Sequence, residues 1–90
     1  MGKKKAKGGS ADDIKDLGNK AFQNGKFEEA LGHYTEAIEM TSENPNHIYF
    51  ANRAGCKIEL KDFQGCIEDC DTAIKIEPTF IKSYIRKGRA

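Results

Sequence analysis

No run of about 18 apolar residues occurs in the 90-residue chain, so no segment is suited to cross a bilayer as a helix, and a soluble protein is predicted. The N-terminal lysines are not followed by an apolar signal region. Secretion is therefore not indicated, and a cytoplasmic setting, with a nuclear one as the variant, is expected. Cysteine is sparse and odd in number: Cys56, Cys66 and Cys70 make a poor disulfide framework and agree with a reducing compartment. The two prolines, Pro45 and Pro78, both stand where helical patterns break.

Catalytic constellations are missing too. No histidine has a motif relation to a cysteine or serine, which leaves nucleophilic catalysis without support. Asp69-Cys70-Asp71 and Glu28-Glu29 are adjacent carboxylates that cannot face one another on a helix. Gly8-Gly9 is no phosphate loop, and Ala6 stands where a myristoylation motif starting at Gly2 needs Ser or Thr. Cys66 and Cys70, joined by Cys56 and either His33 or His47, could be drawn as a metal site. Structural zinc sites use closer pairs on loops, however, and these two cysteines fall on an apolar helical stripe, so buried thiols are the better reading. No enzyme activity, metal or cofactor is expected.

The net charge of +1 conceals a segregation. Lys3, Lys4, Lys5 and Lys7 fall in the first nine residues, which leaves 11 of the 15 basic residues against all 14 acidic ones, a net of −3, in the remainder. Residues 1–10 carry three glycines and no apolar periodicity, and read as a disordered basic tail. Nucleic-acid binding by this tail is the weaker alternative to a solvated one.

What is present is repetition. Phe27, Ala30, Leu31, Tyr34, Ala37 and Ile38 form an apolar stripe at helical spacing, and 36 positions later stand Phe63, Cys66, Ile67, Cys70, Ala73 and Ile74. Ser10 with Asp13 predicts a capped helix over 11–24, ended by Gly25. The stripes predict helices over 27–41 and from 63 to about 77. Between them Asn44 can cap and Pro45 can sit at the first position of a helix over about 46–60. Thr79 can cap a fifth helix carrying Phe80, Ile81, Tyr84 and Ile85. A mid-thirties period of helix pairs predicts an all-α solenoid with repeats at 11–46 and 47–80 and a partial repeat at 81–90. The third pair has one helix, which suggests a piece of a longer protein, or a terminal face that recruits another chain or a second copy.

These units resemble the tetratricopeptide repeat. Ile14, Leu17, Gly18, Ala21, Ala30, Tyr34 and Ala37 stand at its pattern positions in the first copy, and Phe50, Arg53, Ala54, Lys57, Cys66, Cys70, Ala73 and Pro78 in the second. A narrower resemblance is to the carboxylate-clamp subclass found in co-chaperones such as Hop. Lys15-x-x-Gly18-Asn19, Asn52-Arg53-Ala54 and Lys82-x-Tyr84-x-Arg86 carry it. It implies a right-handed helical solenoid in which Lys15, Asn19, Asn52, Lys82 and Arg86 hold the C-terminal aspartate of heat shock protein 90 or heat shock protein 70. It also implies a peptide subsite from Phe22, Gly55, Ile58 and Glu59, with Phe22 serving equally well as core. Glu59 stands where the heat-shock-90-binding module of Hop has an acidic residue, which turns the reading toward that partner.

The chemistry is consistent with that role. Lys15 and Asn19 are four apart, as are Lys82 and Arg86, so each pair shares a helical face. A terminal aspartate presents two carboxylates; lysine and arginine bring cationic donors, and asparagine donates without adding charge. The rival reading is a scaffold that binds folded protein, or itself through the exposed terminal helix, without a clamp.

Overall fold

A computed structural model of the chain describes residues 9–79. These residues form four α-helices in succession: α1 (Ala11–Gln23), α2 (Phe27–Met40), α3 (His47–Glu59) and α4 (Phe63–Ile76). The two prolines lie between or beyond helices, as their lack of an N–H requires. Among the described residues no helix is long and apolar enough to cross a membrane. The basic segment 1–8 and the predicted fifth helix, with Lys82 and Arg86, lie outside the described residues.

Three of these four helices start where a side chain satisfies an orphan N–H. Ser10 and Asp13 form a reciprocal capping box, the Asp13 N–H donating to Ser10 Oγ and the Ser10 N–H to Asp13 Oδ2, both at 3.2 Å. Asp62 caps α4 by accepting the Gly65 N–H at 3.0 Å. Lys26 gives α2 no side-chain cap, and acidic Glu28 and Glu29 in the first turn are left to face the helix dipole. The start of α3 corrects the sequence expectation. Asn46, not Asn44, is the cap, taking the Ile48 N–H at 2.9 Å, and His47 rather than Pro45 is the first helical residue. The Asn44 N–H instead donates to the Thr41 carbonyl at 2.9 Å, closing the turn after α2 and taking residue 44 out of reach of α3.

Both hairpin turns use one geometry. After α1 the Lys26 N–H reaches the Ala21 carbonyl at 2.9 Å and the Gly25 N–H the Phe22 carbonyl at 3.0 Å; after α3 Asp62 reaches Lys57 at 2.7 Å and Lys61 reaches Ile58 at 3.0 Å. This paired bonding needs one residue of positive φ. Gly25 supplies it at +78° without steric cost, whereas Lys61 is held at +67° with a Cβ in the way.

The helices pack in sequence, α1 on α2, α2 on α3 and α3 on α4. The core is built from small side chains: Ala30, Ala37, Ala51, Ala54, Ala73, Cys56, Cys66 and Cys70 are all fully buried. Small residues let helix axes approach closely, and an added methylene group in such a core typically costs about 1–3 kcal/mol through overpacking. Gly18 marks a particularly close approach, since a Cβ there would stand 2.6 Å from the Tyr34 ring. Phe27 meets Phe22 edge-to-face at 5.0 Å. Phe63, its counterpart 36 positions on, is 42% exposed despite the stripe: the residue matching Phe22 is Ile58, which packs against Ala54, Cys66 and Cys70 instead.

Candidate functional site

Two core clusters fix how α1 lies against α3. Ile14 shares one with Tyr49, and Ala21 shares another with Cys56; both pairs are 35 positions apart, so the two helices run parallel. The Tyr49 hydroxyl donates to Asp12 Oδ1 at 2.5 Å, linking α3 directly to α1. In this register Asn52 on α3 stands level with the stretch of α1 between Lys15 and Asn19. These three residues, which the sequence reading assigned to the clamp, are all half-buried. The other two lie outside the described residues.

Their surroundings differ in a chemically useful way. Lys15 Nζ lies 4.0 Å from Asp12 Oδ1 and 3.7 Å from Asp16 Oδ1, both exposed carboxylates on its own helix. Such contacts contribute about 0–1 kcal/mol, so the ammonium is available to a better-placed anion. Asn19 Oδ1 accepts the Tyr34 hydroxyl from α2 at 2.5 Å. The amide oxygen is thereby occupied and the NH₂ group remains to donate. The Asn52 side chain has no hydrogen-bond partner among the described residues, so its amide too can serve a ligand.

The four subsite residues are less alike. Phe22 is half-buried, tied to Phe27 and to the cluster of Ala21, Ala30, Tyr34 and Cys56; Gly55 is buried; Ile58 is half-buried; Glu59 is exposed at the end of α3.

A charged network that sequence reasoning missed connects α3 to α4. Asp69 is 4% exposed. It receives two parallel hydrogen bonds from Arg53, Nε to Oδ2 and Nη2 to Oδ1, each 2.8 Å, and Lys57 Nζ stands 3.1 Å from Oδ2. Arg53 also donates to Thr35 Oγ1 at 3.3 Å and lies 5.8 Å from the centre of the Phe50 ring. The Asp69 hydrogen bonds hold its guanidinium further into the charged range than usual. These two cations are committed to α4, which separates them from Asn52 next door. The signal was available: Arg53 and Lys57 are four apart, and Asp69 falls beside the buried stripe of Cys66, Cys70 and Ala73.

The three cysteines form no disulfide and are buried, with the Cys66 and Cys70 sulfurs 3.9 Å apart inside the α3–α4 interface. Among the described residues no group of three or more His, Cys, Asp or Glu side chains could hold a metal ion.

No protein-family profile matches the chain. It is 43% identical over 75 residues to stress-induced-phosphoprotein 1 of Caenorhabditis elegans, a match that covers 83% of this chain and 23% of that protein. It is 40% identical over 81 residues to heat shock protein STI1 of Saccharomyces cerevisiae, covering 90% of this chain and 14% of that protein. The chain therefore spans less than a quarter of the length of these two relatives. Among solved structures it superposes with a TM-score of 0.84, at 31% identity, on the second TPR of Spaghetti bound to the HSP90 peptide SRMEEVD, over 89% of this chain and 72% of that one. The TPR2B domain of yeast Sti1 in complex with pHsp70 gives a TM-score of 0.82 at 32% identity, over 88% and 62%.

Proposed function

Because the chain belongs to the tetratricopeptide-repeat family, we propose that it is a non-catalytic binding module that grips the C-terminal acidic peptide of heat shock protein 90 or heat shock protein 70. Lys15, Asn19, Asn52, Lys82 and Arg86 are the groups proposed to hold the terminal carboxylates. The observation that supports this reading is the parallel register of α1 and α3, the two helices that carry Lys15, Asn19 and Asn52, each of them half-buried. A carboxylate held there by several donors is out of full competition with water, where charge-assisted hydrogen bonds are at their strongest. The similar structures support the choice of ligand, since one holds SRMEEVD and another is a complex with pHsp70. Exposed Glu59 favours heat shock protein 90 within the resemblance described above. Buried cysteines outside any disulfide suit the cytoplasm, which is the proposed setting.

The test is a titration of SRMEEVD against the wild-type chain and the variants Lys15→Ala, Asn52→Ala, Lys82→Ala and Arg86→Ala. Each lost charge-assisted bond is expected to weaken binding by about tenfold or more. Variants that all bind like the wild type would refute the assignment. A scaffold that binds through another face predicts that outcome.

A further inference from the structure

Resting on the clamp reading, we infer that Tyr34 is a positioning residue of the carboxylate site. Its hydroxyl captures Asn19 Oδ1 and so commits Asn19 Nδ2 to the incoming anion. An asparagine amide has two faces of opposite polarity. With the oxygen forward it would repel a carboxylate; with the NH₂ forward it donates to one. Nothing in Asn19 itself chooses between them. The phenolic hydroxyl of Tyr34 is a buried donor that needs an acceptor, and the only amide atom able to accept is Oδ1.

Gly18 makes the arrangement possible. A Cβ at residue 18 would stand 2.6 Å from Cε1 and 2.8 Å from Cδ1 of the Tyr34 ring, so its absence lets the ring lie against α1 and carry its hydroxyl to the next residue. The second repeat shows the same three positions without the device. Ala54 stands for Gly18, Gly55 for Asn19 and Cys70 for Tyr34, all 36 positions on. Where the amide is absent, the hydroxyl is absent too, and a fully buried thiol fills the place. Packing at that position of the fold therefore does not require a hydroxyl, and in the first repeat the Tyr34 hydroxyl goes to Asn19.

The experiment is a double-mutant cycle of Tyr34→Phe and Asn19→Ala, read by titration with SRMEEVD as free acid and as C-terminal amide. Tyr34→Phe is expected to weaken free-acid binding about tenfold in the wild-type background and to change nothing in the Asn19→Ala background. In ¹⁵N spectra of the wild type, one Asn19 Nδ2 proton is expected to move downfield as free-acid peptide is added, a readout that does not depend on either variant folding. If the wild type prefers the free acid but Tyr34→Phe binds it equally well, or loses as much without Asn19, the positioning role is wrong while the clamp stands. Unmoved Asn19 Nδ2 resonances on free-acid binding contradict the positioning role as well. If the wild type does not distinguish acid from amide, the clamp reading falls and takes this inference with it.

Discussion

Replacing Asp69 with alanine should remove a large share of the domain's stability, although Asp69 belongs to no predicted site. The substitution takes away two 2.8 Å hydrogen bonds from Arg53 and a 3.1 Å contact with Lys57, and leaves both cations without their buried counter-charge. Removing one partner of a buried ion pair costs about 3–5 kcal/mol. The Arg53 and Lys57 side chains retain 20% and 18% exposure, so water can partly resolvate them and the lower end, about 3 kcal/mol, is expected. A chain of this size is stable by roughly 5–13 kcal/mol, so the loss is between about a quarter and somewhat over half of the total. Urea unfolding followed by circular dichroism should show a midpoint lowered by about 2–3 M with an unchanged slope. The triple substitution Asp69→Leu, Arg53→Met and Lys57→Met should recover most of that loss, because it also removes the desolvation cost of the three charges. A loss below about 1 kcal/mol for Asp69→Ala would show that the network behaves as a surface ion pair and would refute the reasoning.

Three further outcomes follow from the same geometry. Lys61→Gly should raise stability by about 0.5–1 kcal/mol, since the positive φ at 61 costs a lysine and not a glycine; an unchanged urea midpoint would contradict this. Gly18→Ala should lower it by about 1–3 kcal/mol through the contact with the Tyr34 ring, and Tyr34→Ala in the same chain should remove that sensitivity. Burial, together with the hydrogen bond to Asp12, pushes the Tyr49 hydroxyl up from 10.0 to about 12. The folded state therefore keeps a proton that the unfolded chain loses. The stabilisation is complete below pH 10 and is lost as pH rises toward 12, about 2–3 kcal/mol at most. Tyr49→Phe should flatten that part of the stability profile, and an equally steep decline in the variant would rule Tyr49 out as its cause.

The helices were legible because an apolar stripe at helical spacing was bounded by residues that cap, turn or break a helix. The C-terminal ends each fell about one residue earlier than expected, and the start of α3 moved where competing turn residues were crowded, between Asn44 and Asn46, where either asparagine satisfies the cap pattern and the Thr41 turn takes Asn44. Phe63 shows the limit of a stripe. Periodicity identifies the face, but the partner that covers it comes from another helix, and Ile58 does not offer what Phe22 offers Phe27. Lys15, Asn19 and Asn52 are proposed for the clamp from their spacing and their resemblance to a known pattern. Tyr34 and Asp69 could not be given their roles in that way. A hydroxyl on a core tyrosine and a carboxylate beside a buried stripe acquire meaning only when the facing helix supplies Asn19 in one case and Arg53 with Lys57 in the other.

The central claim is that the chain recognises a free C-terminal carboxylate. Its most direct test is the ratio of dissociation constants for SRMEEVD as free acid and as C-terminal amide, measured by calorimetry on the whole chain. Amidation removes the main-chain charge and leaves every side chain in place, so the amide should bind at least about tenfold more weakly. Equal affinity for the two peptides would contradict the account.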